Sequence, residues 1–421
     1  MKTTEKMVPE LRFKEFEGAW KESKLSDYIE FISGYAFKSN EMKSDRSNFQ
    51  IIKMSNVYKS KLQLDRSPSY WEKISKKEKK SLLREKDIIL TLTGTVGKKD
   101  YGYSVVIPEN NKFLLNQRLV CLRFKEKISD GDFINNLIKT SRFYYSFFNE
   151  SKGGTGNQSN VGVEDLRNIK LNIPSLPEQE KIASFLSAVD EKISQLSRKK
   201  ELLGQYKKGM MQKLFPPAGG QVPEIRFKDD NGNDFPHWEE KKLGNISKII
   251  TGSTPPTNER KFYDGDKLFV SPADVSENRI VNNTKAKLTE EGLNKGRKIN
   301  KGSVLFVCIG STIGKVAQAG KECITNQQIN AVEGLDDYEN DFIYYLLLLN
   351  GKKIKLLAGV QAVPQINKTE FSKLKFKYPS IREQQKIANY LSALDAKIAG
   401  VEQQISQAQR FKKGLLQKMF V

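Results

Sequence analysis

The chain contains itself twice. Residues 174–215, PSLPEQEKIASFLSAVDEKISQLSRKKELLGQYKKGMMQKLF, return at 379–420 as PSIREQQKIANYLSALDAKIAGVEQQISQAQRFKKGLLQKMF, at a constant offset of 205 and with 19 of 42 pairs identical. A gapless repeat of that length restricts the architecture before any element is assigned. Shorter matches frame it: PELRFK (9–14) with PEIRFK (223–228), Trp20 with Trp238, Leu25 with Leu243 and Gly34 with Gly252. Further along, GTVGK (94–98) matches STIGK (311–315), Asn116-Gln117 matches Asn326-Gln327, and DFI recurs at 132–134 and 341–343. The offset drifts from 218 to 205, so residues have been gained and lost between these landmarks. The implied order is a globular module (1–173), a helix (174–215), a second module (216–378) and a second helix (379–421). Pro216-Pro217-Ala218-Gly219-Gly220 makes the break, as a helix-ending stretch should. Copies that share a frame and differ inside it suggest two related readers of two different things.

Each repeated segment opens as a helix. Pro174 and Pro177, or Pro379, lead in; Glu178 and Glu180, or Glu383, occupy the first turn, where the positive dipole end favours carboxylates. Lys213 and Lys418 fall in the last turns. The apolar residues keep a seven-residue period: Ile182, Val189, Leu196, Leu203 and Met210, with Leu186, Ile193 and Leu214 beside them. In the second helix they are Ile387, Leu394, Val401, Ala408 and Leu415, with Leu391, Ile398, Ile405 and Met419. Lys200, Lys207 and Lys412 interrupt the seam. A heptad held this long predicts a coiled coil. Periodicity alone serves pairing within the chain, pairing between chains and burial in a bundle equally. One helix per module favours an antiparallel pair inside the chain. At about 1.5 Å per residue such a helix spans roughly 57 Å, a length suited to holding two readers apart as a ruler.

Between the landmarks the sequence reads as mixed α/β. IIKMSNV (51–57), DIILTLTG (87–94) and VCLRF (120–124) are strand-like, as are LFVSPADV (268–275) and SVLFVCIG (303–310). Residues 132–148 and 341–349 look helical or buried. The predicted fold class is α+β: two mixed modules separated by two long helices that form an antiparallel coiled coil, with a pseudo-two-fold internal repeat.

Lys plus Arg outnumber Asp plus Glu by 71 to 50, a net charge of +21 that favours a polyanionic partner. Three turns are the candidate DNA contacts. The first is Thr93, Gly94, Thr95, Gly97 and Lys98, matched by Ser311, Thr312, Gly314 and Lys315. Its glycines admit close phosphate approach, and its hydroxyls and ammonium donate; the same residues also suit a plain hairpin turn. The second is Asn116, Gln117 and Arg118, matched by Asn326, Gln327 and Gln328. Amides suit adenine edges and Arg suits guanine. The shared Asn-Gln also suits a structural cap, which leaves Arg118 against Gln328 as the sharper difference. The third lies before each helix lead-in: Lys152, Thr155, Asn157 and Gln158, matched by Gln361 and Gln365. It could track phosphates or serve as a linker. Phe143, Tyr144, Tyr145, Phe147 and Phe148 read as core rather than as a stacking platform.

Absences narrow the chemistry. One histidine, His237, leaves little for a triad or a His-rich metal site. GSTIGKV fails the phosphate-loop pattern, with three residues between its glycines and Val after the Lys. No Asn/Asp-Pro-Pro-aromatic motif occurs. Three cysteines without a C-x-x-C pair fit a reducing, cytoplasmic setting. No apolar leader or membrane-length run is present, the longest strongly apolar stretch being Phe342–Leu349.

With PEIRFK followed by Trp238, and the lead-ins GNQSNVGVEDLRNIKLNIPSLPEQEKIASFLSAVDEKI and PQINKTEFSKLKFKYPSIREQQKIANYLSALDAKI, the chain resembles the specificity subunits of type I restriction-modification systems over nearly its whole length. The resemblance implies two target-recognition domains reading a bipartite double-stranded DNA target, with an unread spacer set by the helices. It implies two modification subunits that hold S-adenosylmethionine and methylate adenine, and restriction subunits that use ATP with Mg²⁺. No catalytic residue, cofactor or metal is expected on this chain. The other readings are a stand-alone DNA-binding regulator and a cryptic nuclease or methyltransferase.

Overall fold

A computed structural model describes residues 7–153, 158–217, 220–276, 278–358 and 364–421. The chain forms two compact units, Met1–Leu196 with Gln403–Val421, and Ser197–Glu402. Each is built on an antiparallel sheet with apolar residues on both faces. In unit 1 the strand order is Ile29–Ser33, Leu119–Phe124, Ile88–Thr91, Ser104–Val106. In unit 2 the same plan runs Ser247–Thr251, Ile329–Gly334, Val304–Val307, Val316–Ala319, and Ile280–Val281 adds parallel at the edge. Side chains alternate across a strand, which explains the unbroken apolar runs. Ile88 and Leu90 enter one core of unit 1 while Ile89 enters the other. Val304 and Phe306 likewise part from Leu305 and Val307 in unit 2.

A smaller sheet flanks each. In unit 1, Phe113–Leu115 runs parallel to Phe49–Ile52, which pairs antiparallel with Tyr70–Trp71. In unit 2, Cys323–Thr325 runs parallel to the end of Tyr263–Val270, and Ala286–Leu288 takes the far side. A two-stranded ladder, Lys21–Lys24 with Lys170–Ile173 or Glu239–Lys242 with Lys375–Tyr378, ties the start of each module to its helix lead-in.

The long helices run from Leu176 to Leu214 and from Ile381 to Lys418. In unit 1, Ile182, Ala183 and Leu186 of the first share a core with Leu415 and Met419 of the second. Val189 packs on that core half-buried, Ile193 is half-buried, and Leu196 is buried. In unit 2, Met211 and Leu214 share a core with Ile387, Leu391 and Leu394. Val401 is buried there, with Leu203 and Ile398 half-buried; Ile405, in unit 1, is also half-buried. In each unit the end of one helix meets the start of the other, so the pair is antiparallel. The lysines that interrupt the heptad carry cross-helix ion pairs. Lys207 meets Asp395 at 2.5 Å and Lys200 meets Glu402 at 2.8 Å in unit 2; Lys412 meets Asp190 at 2.6 Å in unit 1.

The repeated frame is a polar anchor, and it adds a partner to Glu178 and Glu383, which lie in the first turns as expected. Glu178 is buried, and Arg12 of PELRFK grips it through Nε and Nη2, both at 2.8 Å. Glu383 is buried, and Arg226 of PEIRFK grips it at 3.0 and 2.6 Å. Bidentate Arg–carboxylate geometry is the strong form of this bond. The next residue is a second hub. Gln179 accepts from the Asp130 N–H and donates to the Ile128 and Pro174 carbonyls; Gln384 does the same with Glu339, Asp337 and Pro379. Trp20 and Trp238 are buried beside these anchors. Phe420 stacks on Phe133 at 5.3 Å in unit 1, and Phe215 stacks on Phe342 at 5.1 Å in unit 2.

Of the aromatic run, Phe143 and Phe147 are core, four residues apart on one face of the helix Ser141–Asn149, and Tyr144 and Phe148 are half-buried. Tyr145 points the other way and is 72 % exposed, so the expectation of burial fails there.

Candidate nucleic-acid interface

The three turns singled out by sequence come together in each unit. In unit 1, Thr93–Thr95 is a short strand paired antiparallel with Gln158–Asn160, which pairs in turn with Lys152–Gly153. The first and third candidates therefore form one small sheet. Its turn is fixed by Thr95, whose backbone N–H and hydroxyl each donate to the Asp100 carboxylate at 2.8 Å and hold that carboxyl below its ordinary range. Gly97 takes φ +73°, with open space where a Cβ would stand, so glycine serves the backbone turn itself. Lys98 follows it, exposed. Gln158 is exposed, while Thr155 and Asn157 lie outside the described residues, as does Gln361.

In unit 2, Ile309 bridges Gln365, and the Gly310 N–H donates to the Pro364 carbonyl at 2.9 Å. The turn is held more tightly than its mate. Gly314, at φ +91°, backs onto Gly351, where a Cβ would stand 2.5 Å from a carbonyl oxygen. Lys315 Nζ donates to the Val275 carbonyl at 3.3 Å, and the Ser311 carbonyl accepts from Lys355 Nζ at 3.1 Å. Ser311 and Gln365 are exposed and Thr312 is half-buried.

The second candidate borders the first through the central sheet. Leu119 pairs with Thr91, setting Asn116-Gln117-Arg118 beside the strand that leads into the glycine turn. A shared packing constraint accounts for the paired glycines Gly34 and Gly252 beside this turn. A Cβ on Gly34 would fall 2.0 Å from the Asn116 carbonyl oxygen, and one on Gly252 1.9 Å from that of Asn326. The side chains then part company. Asn326 caps its own turn, accepting from the Gln328 N–H at 3.1 Å and donating to Gln328 Oε1 at 3.0 Å, while Gln327 accepts from the Thr254 hydroxyl at 2.7 Å. Gln117 and Arg118 are exposed, and Arg118 makes no ion pair among the described residues. Unit 1 thus presents an unengaged guanidinium where unit 2 presents a folded amide cluster. A free, planar, five-donor group suits a base edge; a preorganised cluster of amides suits a narrower set of acceptors.

His237 is exposed, and all three thiols are buried, with burial pushing Cys308 and Cys323 up to about 12. Among the described residues no group of His, Cys, Asp and Glu is arranged to hold a metal, and no helix is long and apolar enough to cross a membrane.

Paired modules of this build, each gripping a long helix through an Arg–Glu anchor, define a duplicated scaffold that displays two different sets of turns. The family model for the type I restriction modification DNA specificity domain matches residues 17–203 and again 236–410, and the chain belongs to that family. It is 26 % identical to the type I restriction enzyme MjaVIII specificity subunit of Methanocaldococcus jannaschii, over 97 % of this chain and 94 % of the relative. It is 24 % identical to the HindI specificity subunit of Haemophilus influenzae, over 68 % and 78 %. The fold matches a crystal structure of the type I S subunit from M. genitalium, with TM-score 0.61, 16 % identity and 99 % of both chains covered. It also matches a chain from a structural study of type I complex assembly and conformational transition, with TM-score 0.56, 16 % identity, and 97 % and 99 % coverage.

Proposed function

We propose that this chain is the DNA-reading subunit of a type I restriction-modification complex. It reads a bipartite duplex target: module 1–173 takes one half-site and module 216–378 the other, while the helices at 174–215 and 379–421 set the unread gap. The observation that carries this reading is the contrast between frame and turns. The Arg–Glu–Gln anchor is the same in both units, whereas the turns at the other end of the central strands end in a free Arg118 in one and an engaged Gln328 in the other. The contacts are Thr93, Gly94, Thr95, Gly97, Lys98, Asn116–Arg118, Lys152, Thr155, Asn157 and Gln158 in the first module. In the second they are Ser311, Thr312, Gly314, Lys315, Asn326–Gln328, Gln361 and Gln365. Two modification subunits dock on the repeated surfaces and bring S-adenosylmethionine to an adenine turned out of the stack. Restriction subunits bring ATP and Mg²⁺, and the assembly works in the cytoplasm. This chain supplies the address and no chemistry.

Co-expression with the modification subunit and genome-wide mapping of methylated adenines tests it. The expected outcome is one split motif with a fixed gap. Inserting four helical residues after Ser197 adds about 6 Å of helix and should lengthen the gap by about one or two base pairs, at about 3.4 Å each. Methylation without a split motif, or turnover by this chain alone, refutes the reading; a gap indifferent to the insertion refutes the ruler.

A further inference from the structure

The most basic stretch of unit 1 lies outside the three turns. Residues 73–86, KISKKEKKSLLREK, hold seven Lys and Arg against two Glu. Lys73, Lys76, Lys77, Lys79, Lys80, Arg84 and Lys86 are all exposed, and none has an ion-pair partner among the described residues. Of the nearby acids, Glu30 stands exposed in the wall of the adjoining groove, and three others are committed elsewhere. Glu72 pairs with Lys43 at 2.5 Å, Glu78 accepts the Ser75 N–H at 2.6 Å, and Asp87 holds Arg123 at 2.7 Å.

This segment is fastened next to the Asn116–Arg118 turn. The Leu83 N–H donates to the Phe113 carbonyl at 2.9 Å, and Leu82 bridges Leu114, on the strand that runs into the turn. A groove of about 610 Å³ opens along the edge strand Ile29–Ser33, with Lys79, Lys80, Arg84 and Arg123 in its walls and Ser33 at one end. The residue after Ser33 is Gly34, which packs directly on the Asn116 carbonyl. The cations therefore line a path that ends at the candidate base-reading turn.

Unit 2 carries a basic segment at the corresponding place, before its central strand Val304–Val307, but most of its charge is engaged. Arg297 Nη2 donates to the Gly252 carbonyl at 2.6 Å, Lys298 pairs with Glu322 at 3.6 Å, and Lys295 lies over the Phe262 ring at 5.7 Å. Nearby, Lys261 and Lys267 face Glu291 and Glu290.

We propose that Lys73–Lys86 is a phosphate-tracking arm that grips the backbone of duplex DNA beside the half-site read by unit 1, independently of sequence. The proposal rests on the DNA-reading function and adds to it an unequal division of labour: unit 1 supplies the salt-sensitive anchorage that unit 2 lacks. Exposed, flexible ammonium groups released from protein partners suit a line of phosphates whose counterions they displace. An acidic protein face fits less well. Protein interfaces centre on apolar or aromatic anchors, and here Leu83 is buried while Ile74 and Leu82 are half-covered, leaving only charge at the surface.

The test replaces Lys76, Lys77, Lys79 and Lys80 together with Gln in the full chain, purified with its modification subunit. Dissociation constants are measured against KCl concentration on a target duplex and on a scrambled duplex. Each phosphate contact contributes about 0.9 to the slope of log K against log salt, so the slope should fall by about 2–4 on both duplexes. The ratio of target to scrambled affinity should stay as it was. Replacing Lys298 and Lys301 with Gln should lower the slope by about 1 or less on the same scale. An unchanged slope in the fourfold variant overturns the arm. Loss of co-purification with the modification subunit also overturns it, by assigning the segment to protein docking. A wild-type complex that does not distinguish target from scrambled duplex removes the DNA-reading function itself, a result separable from either.

Discussion

Unit 1 and unit 2 solve one structural problem with unequal resources. Both bury a carboxylate at the start of a long helix and grip it with an arginine from the frame. In unit 1 the Trp20 indole N–H also reaches Glu178, at 3.2 Å, whereas in unit 2 the Trp238 N–H is buried without a partner. Unit 2 has its own addition elsewhere. Arg279 reaches into the space between the helices Asn340–Leu357 and Ile381–Lys418. It meets Asp341 at 2.5 Å, Gln318 at 2.5 Å, Tyr345 at 2.8 Å and Ser392 at 2.7 Å. The repeat mates in unit 1 have no such arginine: Asp132 lacks an ion-pair partner among the described residues, and the Asn136 side-chain oxygen is buried unbonded. Duplication fixed the frame, and each copy then balanced its buried polar groups separately.

The largest break in this comparison comes at the anchors. Arg226→Met strands Glu383 with no second donor from Trp238, and removing one partner of a buried pair costs about 3–5 kcal/mol. Arg12→Met should cost about 1.5–3 kcal/mol less, because Trp20 still donates to Glu178 and a hydrogen bond to a charged group contributes in that range. Urea unfolding followed by tryptophan emission, with Trp238 in unit 2 and Trp20 and Trp71 in unit 1, gives each loss by comparing each variant with the wild-type transition. Equal losses would show that the indole bond contributes nothing. Arg279→Met comes next. Its partners are only partly covered, with Asp341 37 % and Asp395 23 % exposed, so about 2–3 kcal/mol is expected, below the fully buried limit.

The turns offer the third contrast. Arg118→Ala removes a free guanidinium and should relax discrimination at one base position by about 1–3 kcal/mol, seen as degeneracy in one half of the methylated motif. Gln328→Ala instead frees Asn326 from its clasp and should blur the other half over more than one position. If both substitutions degrade the same half, each module does not read its own half-site.

Lys139 tests the uncompensated side of unit 1. Burial, aided by Lys412, lowers its pKa to about 8 from an ordinary 10.5. Below pH 8 the ammonium is charged in both folded and unfolded chains, and the cost of burying it is fully present. Between about pH 8 and 10.5 the folded chain sheds the proton while the unfolded chain keeps it, so stability should rise with pH. Lys139→Met should stabilise unit 1 by about 1 kcal/mol at pH 7 and flatten that rise. A parallel pH profile for variant and wild type would show that Lys139 reaches solvent.

What could be read in the sequence divides along physical lines. The repeat, the long helices and their seam were legible, since a heptad and a 205-residue echo are properties of the chain order itself. Glu178 and Glu383 were legible as first-turn carboxylates but not as buried ones, because a first-turn carboxylate satisfies the helix dipole equally well when solvated. Their burial depends on arginines 166 and 157 residues away. The three turns were each visible as turn chemistry, but their convergence rests on strand pairings, such as Thr91 with Leu119 and Gly94 with Ser159, that no local pattern encodes. Tyr145 was lost in an aromatic run whose helical phase decides which rings face the core. The basic run at 73–86 was in plain view, but its lack of ion-pair partners emerges only when neighbouring acids are seen to be taken.

The smallest expected effect sharpens the comparison most finely. Lys207 and Lys412 are repeat mates, as are their partners Asp395 and Asp190, so the two ion pairs differ only in surroundings. Asp395 is 23 % exposed and also accepts the Tyr345 hydroxyl at 2.6 Å, while Asp190 is 51 % exposed. Solvent screens the second pair more strongly, and exposed pairs typically contribute about 0–1 kcal/mol. Lys412→Met should therefore change unit 1 by no more than about 0.5 kcal/mol on that scale, since the methionine also extends an apolar seam. Lys207→Met should destabilise unit 2 by about 1 kcal/mol or more, because it leaves Asp395 to a tyrosine and to Arg279 at 3.9 Å. The difference should widen in Arg279→Met, where removing Lys207 leaves Asp395 with no cation at all, and a double-mutant cycle would give that coupling directly. A cycle with no coupling would mean that the heptad lysines act alone and that Arg279 has no part in holding the second helix.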